Sequence, residues 1–307
     1  MAPEWEGFLN VLKPPGMTSH DVVAYLRRTI AQKRIGHTGT LDPQAAGVLP
    51  VCLGRATRLS AMVTDQCKGY RAELTLGWST DTQDAWGAPI CTLPAEAVQE
   101  RIGDTCIRAV LAEYIGTIQQ QPPMVSAVRH KGRKLYEWAR DGVEVERPSR
   151  EVTIHSLEIL RMDENTQGYP RVLLEIVCSK GTYVRTLCAD VGERLGVGGH
   201  MSYLLRTRSG PFDLAEAITL EEATEAFQKE TFNSLLKPLD YVLQALSLLV
   251  VDQDLAQRFQ HGQPLADPEE LWAEGELVRV YAPGNIFIGL GQKLKAQIWP
   301  QKVFHEE

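Results

Sequence analysis

The 307-residue sequence lacks the residue spacings that build metal and redox sites. Its six cysteines never form a Cys-x-x-Cys pair, which argues against a zinc site and a thioredoxin-like motif. Its seven histidines never form a His-x-x-x-His pair, so a helical metal site is not predicted either. We therefore expect no metal, and buried free thiols of the kind found in a reducing compartment.

Long apolar runs and leader segments are also missing. The longest nearly apolar run, YVLQALSLLVV from Tyr241, is interrupted by Gln244 and Ser247 and is too short to cross a bilayer. The first ten residues, MAPEWEGFLN, have neither the basic segment nor the apolar core of a signal peptide. We expect a cytoplasmic protein that makes no membrane contact.

Two common catalytic motifs are absent as well. The sequence contains no Gly-x-x-x-x-Gly-Lys-Ser/Thr phosphate loop and no Gly-x-Ser-x-Gly elbow. The glycine-rich GVGGH from Gly196 follows a predicted helix rather than a strand, and this order is typical of a helix end and turn.

Charge is unevenly distributed along the chain, although the net charge is −7. The acidic runs, LEEATEAFQKE and DPEELWAEGE, come late. Between Lys13 and Arg71 the only acidic residues are Asp21, Asp42 and Asp65, whereas the cations there are Lys13, Arg27, Arg28, Lys33, Arg34, Arg55, Arg58, Lys68 and Arg71. A locally basic front of this kind fits either a polyanion-binding surface or ordinary solvated faces.

The periodicity of the apolar residues predicts an α+β fold. TSHDVVAYLRRTIAQ predicts a helix with Ser19 as N-cap, and TYVRTLCADVGERLG predicts a second helix that ends at Gly196. YRAELTLGW predicts a half-buried strand with Ala72, Leu74 and Leu76 inward and Arg71, Glu73 and Thr75 outward. RVLLEIVCSKG predicts a more buried strand that alternates less strictly. Strands and helices without a regular βαβ repeat are typical of the α+β class.

Two segments differ from this pattern. An inserted arm is predicted over about 119–151, because it begins near Pro122-Pro123 and its centre, VRHKGRKLYEWAR, places Tyr136 and Trp138 among cations. Such interleaving suits a nucleic-acid surface, and a solvated helix with inward aromatics is the alternative. From about Leu248, a short helix closed by Gly262 and the alternating ELVRVYAPGNIFIGLGQ predict a small β-rich module.

One carboxylate stands out in GHTGTLDPQAAGVLPVCLGRATRLS, residues 36–60. Asp42 lies among Gly, Thr and Pro, with no second acid in the stretch. An aspartate before proline commonly bonds its own backbone in a turn. The glycines and the later Arg55 and Arg58 also suit a loop that a polyanion approaches closely. The local pattern leaves both interpretations open.

The blocks NVLKPPGMTSHDVV, RIGHTGTLDPQAAGVLPVCLGRATRLS, KGYRAELTLGWSTDTQDAWG, QQPPMVSAVRHKGRKLYEWAR, CSKGTYVRTLCADVGERLG and YLLRTRSGPF resemble, in order, the signature blocks of the bacterial TruB family. These are the tRNA pseudouridine-55 synthases, and the resemblance covers nearly the whole chain. It implies a pseudouridine synthase fold with a mixed, mainly antiparallel central sheet. It also implies an enzyme that detaches uracil from C1′ of one T-loop uridine, rotates the base and rejoins it through C5, without cofactor or metal.

The resemblance also implies roles for individual residues. Asp42 matches the catalytic aspartate, and attack at C6, attack at C1′ and a glycal route all remain open for it. Tyr70 matches the tyrosine that stacks on the target base and assists proton transfer from C5. Arg185 matches the arginine that pairs with the aspartate, and His37 matches the histidine that holds the base flipped out of the RNA.

Four further residues have a second interpretation beside the one that the resemblance implies. Tyr183 lines the same pocket or is purely structural, and Leu204 is either an apolar pocket wall or ordinary core. Lys13 and Lys68 make phosphate or pocket contacts or are plain surface cations.

The resemblance further predicts a catalytic domain over residues 1–247, which includes the arm, and a PUA-like RNA-binding β-barrel over 248–307. The expected substrate is tRNA, bound by a monomer that needs no protein partner. Two other functions stay open: a tRNA-folding chaperone and a synthase subunit directed by guide RNA.

Overall fold

The computed structural model describes residues 4–267 and 270–305. Three segments lie outside the described residues: 1–3 of the predicted catalytic domain, 268–269 in the run DPEELWAEGE, and 306–307 at the end of the predicted tail module. None of the described helices is long and apolar enough to cross a membrane.

The described helices and strands are mixed along the chain, which confirms the α+β class. The helices are α1 (Ser19–Thr29), α2 (Ser60–Thr64), α3 (Ala95–Arg101), α4 (Asp104–Glu113), α5 (Leu135–Arg140), α6 (Val184–Arg194), α7 (Leu220–Gln228) and α8 (Gln253–Gln260). The strands are β1 (Gly7–Lys13), β2 (Ile35–His37), β3 (Ala46–Leu53), β4 (Lys68–Leu76), β5 (Trp78–Thr80), β6 (Pro89–Thr92), β7 (Gly116–Gln120), β8 (Arg129–His130), β9 (Arg133–Lys134), β10 (Arg150–Glu164), β11 (Pro170–Cys178), β12 (Gly199–Ser209), β13 (Phe212–Asp213), β14 (Ser247–Val250), β15 (Leu265–Ala266), β16 (Leu277–Ala282), β17 (Ile286–Leu294) and β18 (Gln297–Val303).

A mixed, mainly antiparallel sheet forms the centre of the molecule, in the order β1-β3-β12-β4-β11-β10-β7. β2 also pairs with β3, and β13 pairs with β12. The pairing of β3 with β12 is parallel, and the other pairings within this sheet are antiparallel. Helices α4 and α6 share a core with β4, β10 and β11, while α1 and α7 share a second core with β1 and β3.

The two strands predicted from alternation are present, with two differences in burial. Ala72, Leu74 and Leu76 face the core of β4 as predicted, but Thr75, predicted outward, is only 2% exposed. It is covered because β12 pairs beside it and Ser202 Oγ accepts its hydrogen bond at 2.8 Å. In β11 the alternation is strict rather than loose.

The start of α1 is one residue earlier than predicted. Thr18, not Ser19, is the N-cap, and it forms a capping box with Asp21. Ser19 is free for another contact because Thr18 already bonds the Asp21 N–H group. The helix predicted to end near Gly196 is α6, and Gly196 takes a positive φ of 71° just beyond it.

A second sheet, ordered β14-β16-β17-β18-β15, packs against the first. Its Leu290 and Phe304 belong to the same apolar cluster as Phe8 and Phe212 of the central sheet region. Arg58 Nη1 donates to the Val303 carbonyl oxygen at 2.6 Å across the same contact. The second sheet is therefore fixed against the body by apolar packing and by an exposed hydrogen bond.

The arm leaves the central sheet after β7 and returns at β10. Gln120 and Arg150 are directly paired at this point, so residues 121–149 lie off the sheet. The arm contains the β8–β9 hairpin and α5. These bounds are slightly narrower than the predicted 119–151, because the first and last residues of the predicted arm remain in the sheet ladder.

Candidate active site

The Asp42 loop lies between β2 and β3, against the first turn of α1. The Leu41 N–H donates to Ser19 Oγ at 2.9 Å, and Ser19 Oγ donates to the Leu41 carbonyl oxygen at 3.3 Å. On the other side, the Lys13 ammonium donates to the Pro43 carbonyl oxygen at 3.1 Å. The backbone is thus held directly before and after Asp42, which fixes the direction of its side chain.

The Arg185 guanidinium, in the first turn of α6, pairs with both carboxylate oxygens of Asp42. Nε is 2.9 Å from Oδ2, and Nη2 donates to Oδ1 at 3.2 Å. Arg185 also donates to the carbonyl oxygens of Thr82 at 3.1 Å and Val125 at 2.8 Å. Its side chain is 4% exposed, whereas that of Asp42 is 40% exposed. The guanidinium is therefore fixed in the interior, and the carboxylate faces the cleft.

A second carboxylate lies beside Arg185, where the sequence indicated a single acid. Asp84 Oδ2 is 3.7 Å from Arg185 Nη1, and Asp84 Oδ1 accepts a hydrogen bond from Thr82 Oγ1 at 2.6 Å. The block KGYRAELTLGWSTDTQDAWG contains Asp84, but its spacing gives no link to Asp42. The link exists only because the loop after β5 meets α6 in the fold.

The electrostatics of the Asp42 carboxyl reflect opposing effects. Burial in the cleft raises its pKa above the ordinary value, and the charge of Asp84 adds to that rise. The Arg185 guanidinium acts in the opposite direction because it favours the ionised form. The result is a partly desolvated carboxylate that is held by a bidentate cation and turned toward open space, an arrangement suited to nucleophilic chemistry.

A cavity of about 90 Å³ opens beside this ion pair, and Tyr70, Tyr183 and Leu204 all line it. Tyr70 packs against the main core, and burial raises the pKa of its hydroxyl, which therefore keeps its proton at neutral pH. Leu204 is 7% exposed and belongs to that core as well as to the cavity wall. The structure thus brings these three predicted residues together with Asp42 and Arg185.

Arg206 bonds two of the segments around this cavity, although the sequence did not single it out. Its side chain is buried, and its Nε donates to the Val48 carbonyl oxygen at 2.7 Å. Nη2 donates to the Gly39 carbonyl oxygen at 3.0 Å, in the loop that leads to Asp42. Its positive charge also lies beside the Tyr70 hydroxyl. Arg206 therefore joins the strand of Tyr70 to the loop of Asp42.

Lys13 and Lys68 are internal, so neither is the plain surface cation that the sequence left open. Burial lowers the pKa of each ammonium group to about 8. Three carbonyl oxygens accept hydrogen bonds from each ammonium. Those of Pro14, Met17 and Pro43 surround Lys13, and those of Val63, Thr64 and Gln66 surround Lys68. Both lysines hold loops of the site in place.

His37 lies at the end of β2, apart from the small cavity. Burial lowers the pKa of its imidazole to about 4, and within the described part of the chain no group bonds its buried Nδ1. The exposed His20 packs edge-on against it, with ring centroids 5.3 Å apart and an interplanar angle of 78°. His20, which the sequence analysis missed, also lines the larger cleft above Asp42.

That larger cleft, of about 1090 Å³, lies between the arm and the body. Its walls include the first turn of α1, the Asp42 loop and residues 124–127 and 139–144 of the arm. Within the arm, Arg133 lies 4.4 Å from the centre of the Trp138 ring, and the Lys134 ammonium lies 5.5 Å from that of Tyr136. Both rings are half-buried, so they are covered by cations rather than turned wholly outward.

Within residues 4–267 and 270–305, no three His, Cys, Asp or Glu side chains lie close enough together to hold a metal ion. The cysteines are all free, but only Cys52, Cys178 and Cys188 are buried, and Cys67, Cys91 and Cys106 are exposed. The expectation of buried thiols is therefore wrong for Cys67, Cys91 and Cys106.

Profiles of three family domains cover most of the chain. Residues 27–184 match the TruB family pseudouridylate synthase N-terminal domain. Residues 185–244 match the tRNA pseudouridylate synthase B C-terminal domain, and residues 249–304 match the C-terminal region of pseudouridine synthase II TruB.

Known relatives are similar over nearly the full length. The tRNA pseudouridine synthase B of Heliobacterium modesticaldum is 44% identical over 305 residues, which cover 98% of this chain and 96% of the relative. That of Geobacillus thermodenitrificans is 47% identical over 305 residues, covering 97% and 99%.

Solved structures with a similar fold include the chain of a Cbf5-Nop10-Gar1 complex, with a TM-score of 0.74 and 29% identity over 97% of this chain and 85% of that one. A chain of an H/ACA RNP bound to a substrate RNA containing 2′-deoxyuridine also gives a TM-score of 0.74, at 26% identity, and covers 100% and 92%. The central sheet and the smaller second sheet therefore form a known architecture.

Proposed function

The chain belongs to the TruB family of pseudouridine synthases, and from this premise we propose that it converts the uridine at position 55 in the T-loop of tRNA into pseudouridine as a stand-alone enzyme. As a tRNA pseudouridine synthase B it is an isomerase. The position, the independence from guide RNA and the roles of the residues below are our proposal.

The reaction conserves every atom of the uridine. The bond between C1′ and N1 breaks, a bond between C1′ and C5 forms, the proton on C5 leaves, and N1 gains a proton. No oxidant, reductant or group donor is required for this balance. The protein has to flip the base, hold it while it is detached, turn it and move one proton.

The observation that carries the proposal is the Asp42–Arg185 pair at the base of the cleft. The carboxylate is exposed on the side of the cleft and is fixed from behind by two guanidinium contacts, an ion pair of 2.9 Å and a hydrogen bond of 3.2 Å. A single accessible carboxylate suits a covalent or proton-abstracting role, whereas hydrolysis by a pair of acids needs two facing carboxyls. Asp84 does not supply the second one, since its side chain is mostly buried behind Arg185.

The neighbouring side chains fit the remaining steps. Tyr70 presents a ring and a protonated hydroxyl to the cavity, so it can stack on uracil and take part in removal of the C5 proton. Tyr183 and Leu204 supply apolar wall. His37, neutral because its pKa is low, offers an uncharged ring that can replace the flipped base in the RNA stack.

The arm and the second sheet supply the RNA-binding surface in this proposal. The arm would close over the T stem-loop, and the module from residue 248 would act as a PUA-like contact for a more distant part of the tRNA. The gap between the matched segments 185–244 and 249–304 supports a boundary near residue 247. We further propose that the enzyme acts as a monomer.

The test uses purified protein and a T stem-loop RNA without additives, with pseudouridine mapped at single-nucleotide resolution. Wild type should modify the one T-loop uridine. Asp42→Asn should form no product while it retains RNA affinity, because the amide keeps the shape and loses the nucleophile. Asp254→Asn, on the exposed first turn of α8, is the matched control and should remain active. Near-wild-type turnover by Asp42→Asn would refute the role given to Asp42.

The same assay separates the two other functions. The similar chains in complexes with Nop10 and Gar1, or in an H/ACA RNP, give the guide-dependent function a specific basis. If the purified chain binds the hairpin tightly but neither wild type nor variant forms product, guide dependence or a folding role replaces our proposal. Addition of guide RNA and partner proteins would then distinguish these two.

A further inference from the structure

The arm and the catalytic helix α6 meet at Tyr183, the residue that precedes α6. Gln120, the last residue of β7, bonds the Tyr183 backbone twice. Its Oε1 accepts from the Tyr183 N–H at 2.7 Å, and its Nε2 donates to the Tyr183 carbonyl oxygen at 3.0 Å. The two residues are 63 positions apart in sequence, and Gln120 is only 1% exposed.

Tyr183 is also contacted from the returning strand of the arm. Arg150, the first residue of β10, is the direct cross-strand partner of Gln120. Its guanidinium carbon lies 5.7 Å from the centre of the Tyr183 ring. The two residues at which the arm leaves and re-enters the sheet therefore hold the backbone and the ring of the same tyrosine.

These contacts hold the start of α6 without capping it. Tyr183 is the N-cap residue of α6, and no side-chain hydrogen bond caps this helix end. The Gln120 amide bonds the N–H and the carbonyl oxygen of the N-cap residue itself, as a neighbouring strand would. A buried amide is costly unless both its donor and its acceptor are satisfied, and here one residue satisfies both.

The fixed end of α6 carries the key cation two residues later. Arg185 pairs with Asp42 and also donates to the Val125 carbonyl oxygen at 2.8 Å, in the first part of the arm. Between Gln120 and Val125 lie Pro122 and Pro123, which restrict the backbone. The beginning of the arm is thus bonded to α6 at two points, once at Tyr183 and once at Arg185.

We propose that Gln120, assisted by Arg150, is a positioning residue for the reaction. It holds Tyr183 and, through the first turn of α6, the Arg185 guanidinium in the geometry that Asp42 requires. The RNA-clamping arm and the catalytic ion pair therefore share one anchor. This inference rests on the proposed function for its catalytic part, while the positioning of α6 is measurable without it.

The test compares Gln120→Met with Gln99→Met. Methionine keeps the approximate volume of glutamine and removes both hydrogen bonds. Gln99, in α3, is exposed and lies outside the arm and the active site, and its Nε2 donates to Glu164 Oε1 and to the Gly168 carbonyl oxygen at 2.9 Å each. Three quantities are measured: the single-turnover rate constant at saturating T stem-loop RNA, the Kd for that RNA in an Asp42→Asn background, and hydrogen–deuterium exchange of the 180–188 segment.

For Gln120→Met we expect a rate constant lower by about 10- to 100-fold, since small displacements of a catalytic group cost that much. The Kd should change by less than about 3-fold, and exchange at Tyr183 should accelerate. Gln99→Met should match wild type in all three. An unchanged rate constant with weakened Kd, or unchanged exchange, would overturn the proposal, because Gln120 would then serve the arm alone or neither partner.

A second variant covers the case in which Gln120→Met does not fold, as judged by thermal unfolding. Arg150→Met should lower the rate constant by about 2- to 5-fold, the scale of a partly exposed cation–π contact, and Arg150→Lys should restore part of it. No loss in Arg150→Met would overturn the shared anchor. If wild type itself forms no pseudouridine, the proposed function fails, and the exchange data alone decide whether Gln120 positions α6.

Discussion

Arg185 has four polar partners at the site, and they come from three parts of the chain. It bonds Asp42, the Thr82 carbonyl and the Val125 carbonyl, and it lies within 3.7 Å of Asp84. Because a guanidinium presents a rigid fork of donors, each partner restricts the orientation left to the others. Loss of one partner should therefore affect both the position of Arg185 and the charge balance around Asp42.

Asp84→Asn is expected to lower the plateau of the pH–rate profile by about 10-fold, equivalent to ~1.4 kcal/mol, because Arg185 loses one of its carboxylate partners. The acid limb should move to lower pH. Asp84 raises the pKa of the Asp42 carboxyl, so its removal allows Asp42 to stay ionised to more acidic pH. Single-turnover rates between pH 4 and 8 measure both effects.

Asp81→Asn is the matched control for that variant. Asp81 lies three residues earlier in the same loop, is exposed, and accepts from the Ala88 N–H at 2.8 Å rather than contacting Arg185. It should leave the position of the acid limb unchanged. A shift of the acid limb to higher pH in Asp84→Asn would contradict the sign of the interaction.

The His37 imidazole should titrate with a pKa of about 4 in the folded protein, well below the ordinary 6.5, since burial disfavours its charged form. The unfolded chain therefore binds a proton near pH 6.5 while the folded one does not. The free energy of unfolding should fall as the pH decreases from 6.5 toward 4. NMR of the imidazole C–H signals, with His37→Gln to assign the resonance, measures the pKa, and titration near 6.5 would refute it.

At the scale of single residues, the sequence predicted which side chains lie at the site better than it predicted the burial and bonding of each one. The family resemblance placed Asp42, Tyr70 and Arg185, and these do lie together. It could not distinguish a surface lysine from one surrounded by carbonyls, as Lys13 and Lys68 are, because those carbonyls belong to loops whose conformation depends on the whole fold. Asp84 was missed for the same reason.

Among the secondary structure elements, the parallel contact of β3 with β12 links the two sides of the site. Gly47 of β3 pairs with Arg206 of β12, and its φ is 116°. A Cβ atom added at Gly47 would lie 2.2 Å from the Arg206 carbonyl oxygen. Only glycine fits this approach, which lets the Arg206 side chain reach the loop before Asp42.

Gly47→Ala should lower the free energy of unfolding by about 3 kcal/mol or more, because backbone strain and overpacking add. Activity should fall as Arg206 moves. Gly116→Ala is the control: its φ of 103° carries a similar strain, but a Cβ there meets no atom within 4 Å. It should cost only about 1–2 kcal/mol. Urea unfolding measures both, and equal losses would show that the contact with Arg206 does not matter.

Periodicity predicted the helices and strands well, but it predicted poorly which residues contact them from elsewhere in the chain. The alternation in β4 and the apolar spacing of α6 are local properties of the sequence, and both elements form where expected. Thr75 is buried because β12 pairs beside it, and Ser19 leaves the cap position because it bonds Leu41. Such contacts join residues more than 20 positions apart, which a local pattern does not encode.

Over the whole molecule, the second sheet is held to the first by a continuous contact. Phe304 and Leu290 pack with Phe8 in one apolar cluster, and Arg58 lies 5.0 Å from the centre of the Phe304 ring. A further hydrogen bond connects the segment before β14 to β16: the Tyr281 hydroxyl donates to Asp240 at 2.7 Å. Any RNA contact made by the second sheet is therefore at a fixed distance from Asp42.

Net charge is the remaining property of the whole chain, and it gives the last prediction. The protein carries −7, yet the arm exposes Arg129, Lys131 and Arg140, of which Arg140 lines the cleft. Lys13 and Lys68 do not contribute to this surface, because their ammonium groups are bonded internally. Affinity for the T stem-loop should nevertheless fall steeply with salt, since the exposed cations displace counterions from phosphates.

A plot of log Kd against log salt concentration measures this dependence. Lys131→Gln and Arg140→Gln should each reduce its slope by about 1, the effect of one lost phosphate contact. Arg161→Gln, at the other end of β10 and paired with Asp163 at 2.8 Å, should leave the slope unchanged. A slope near zero for wild type, or equal slopes for all variants, would mean that the overall negative charge governs binding and that the arm does not contact the RNA backbone.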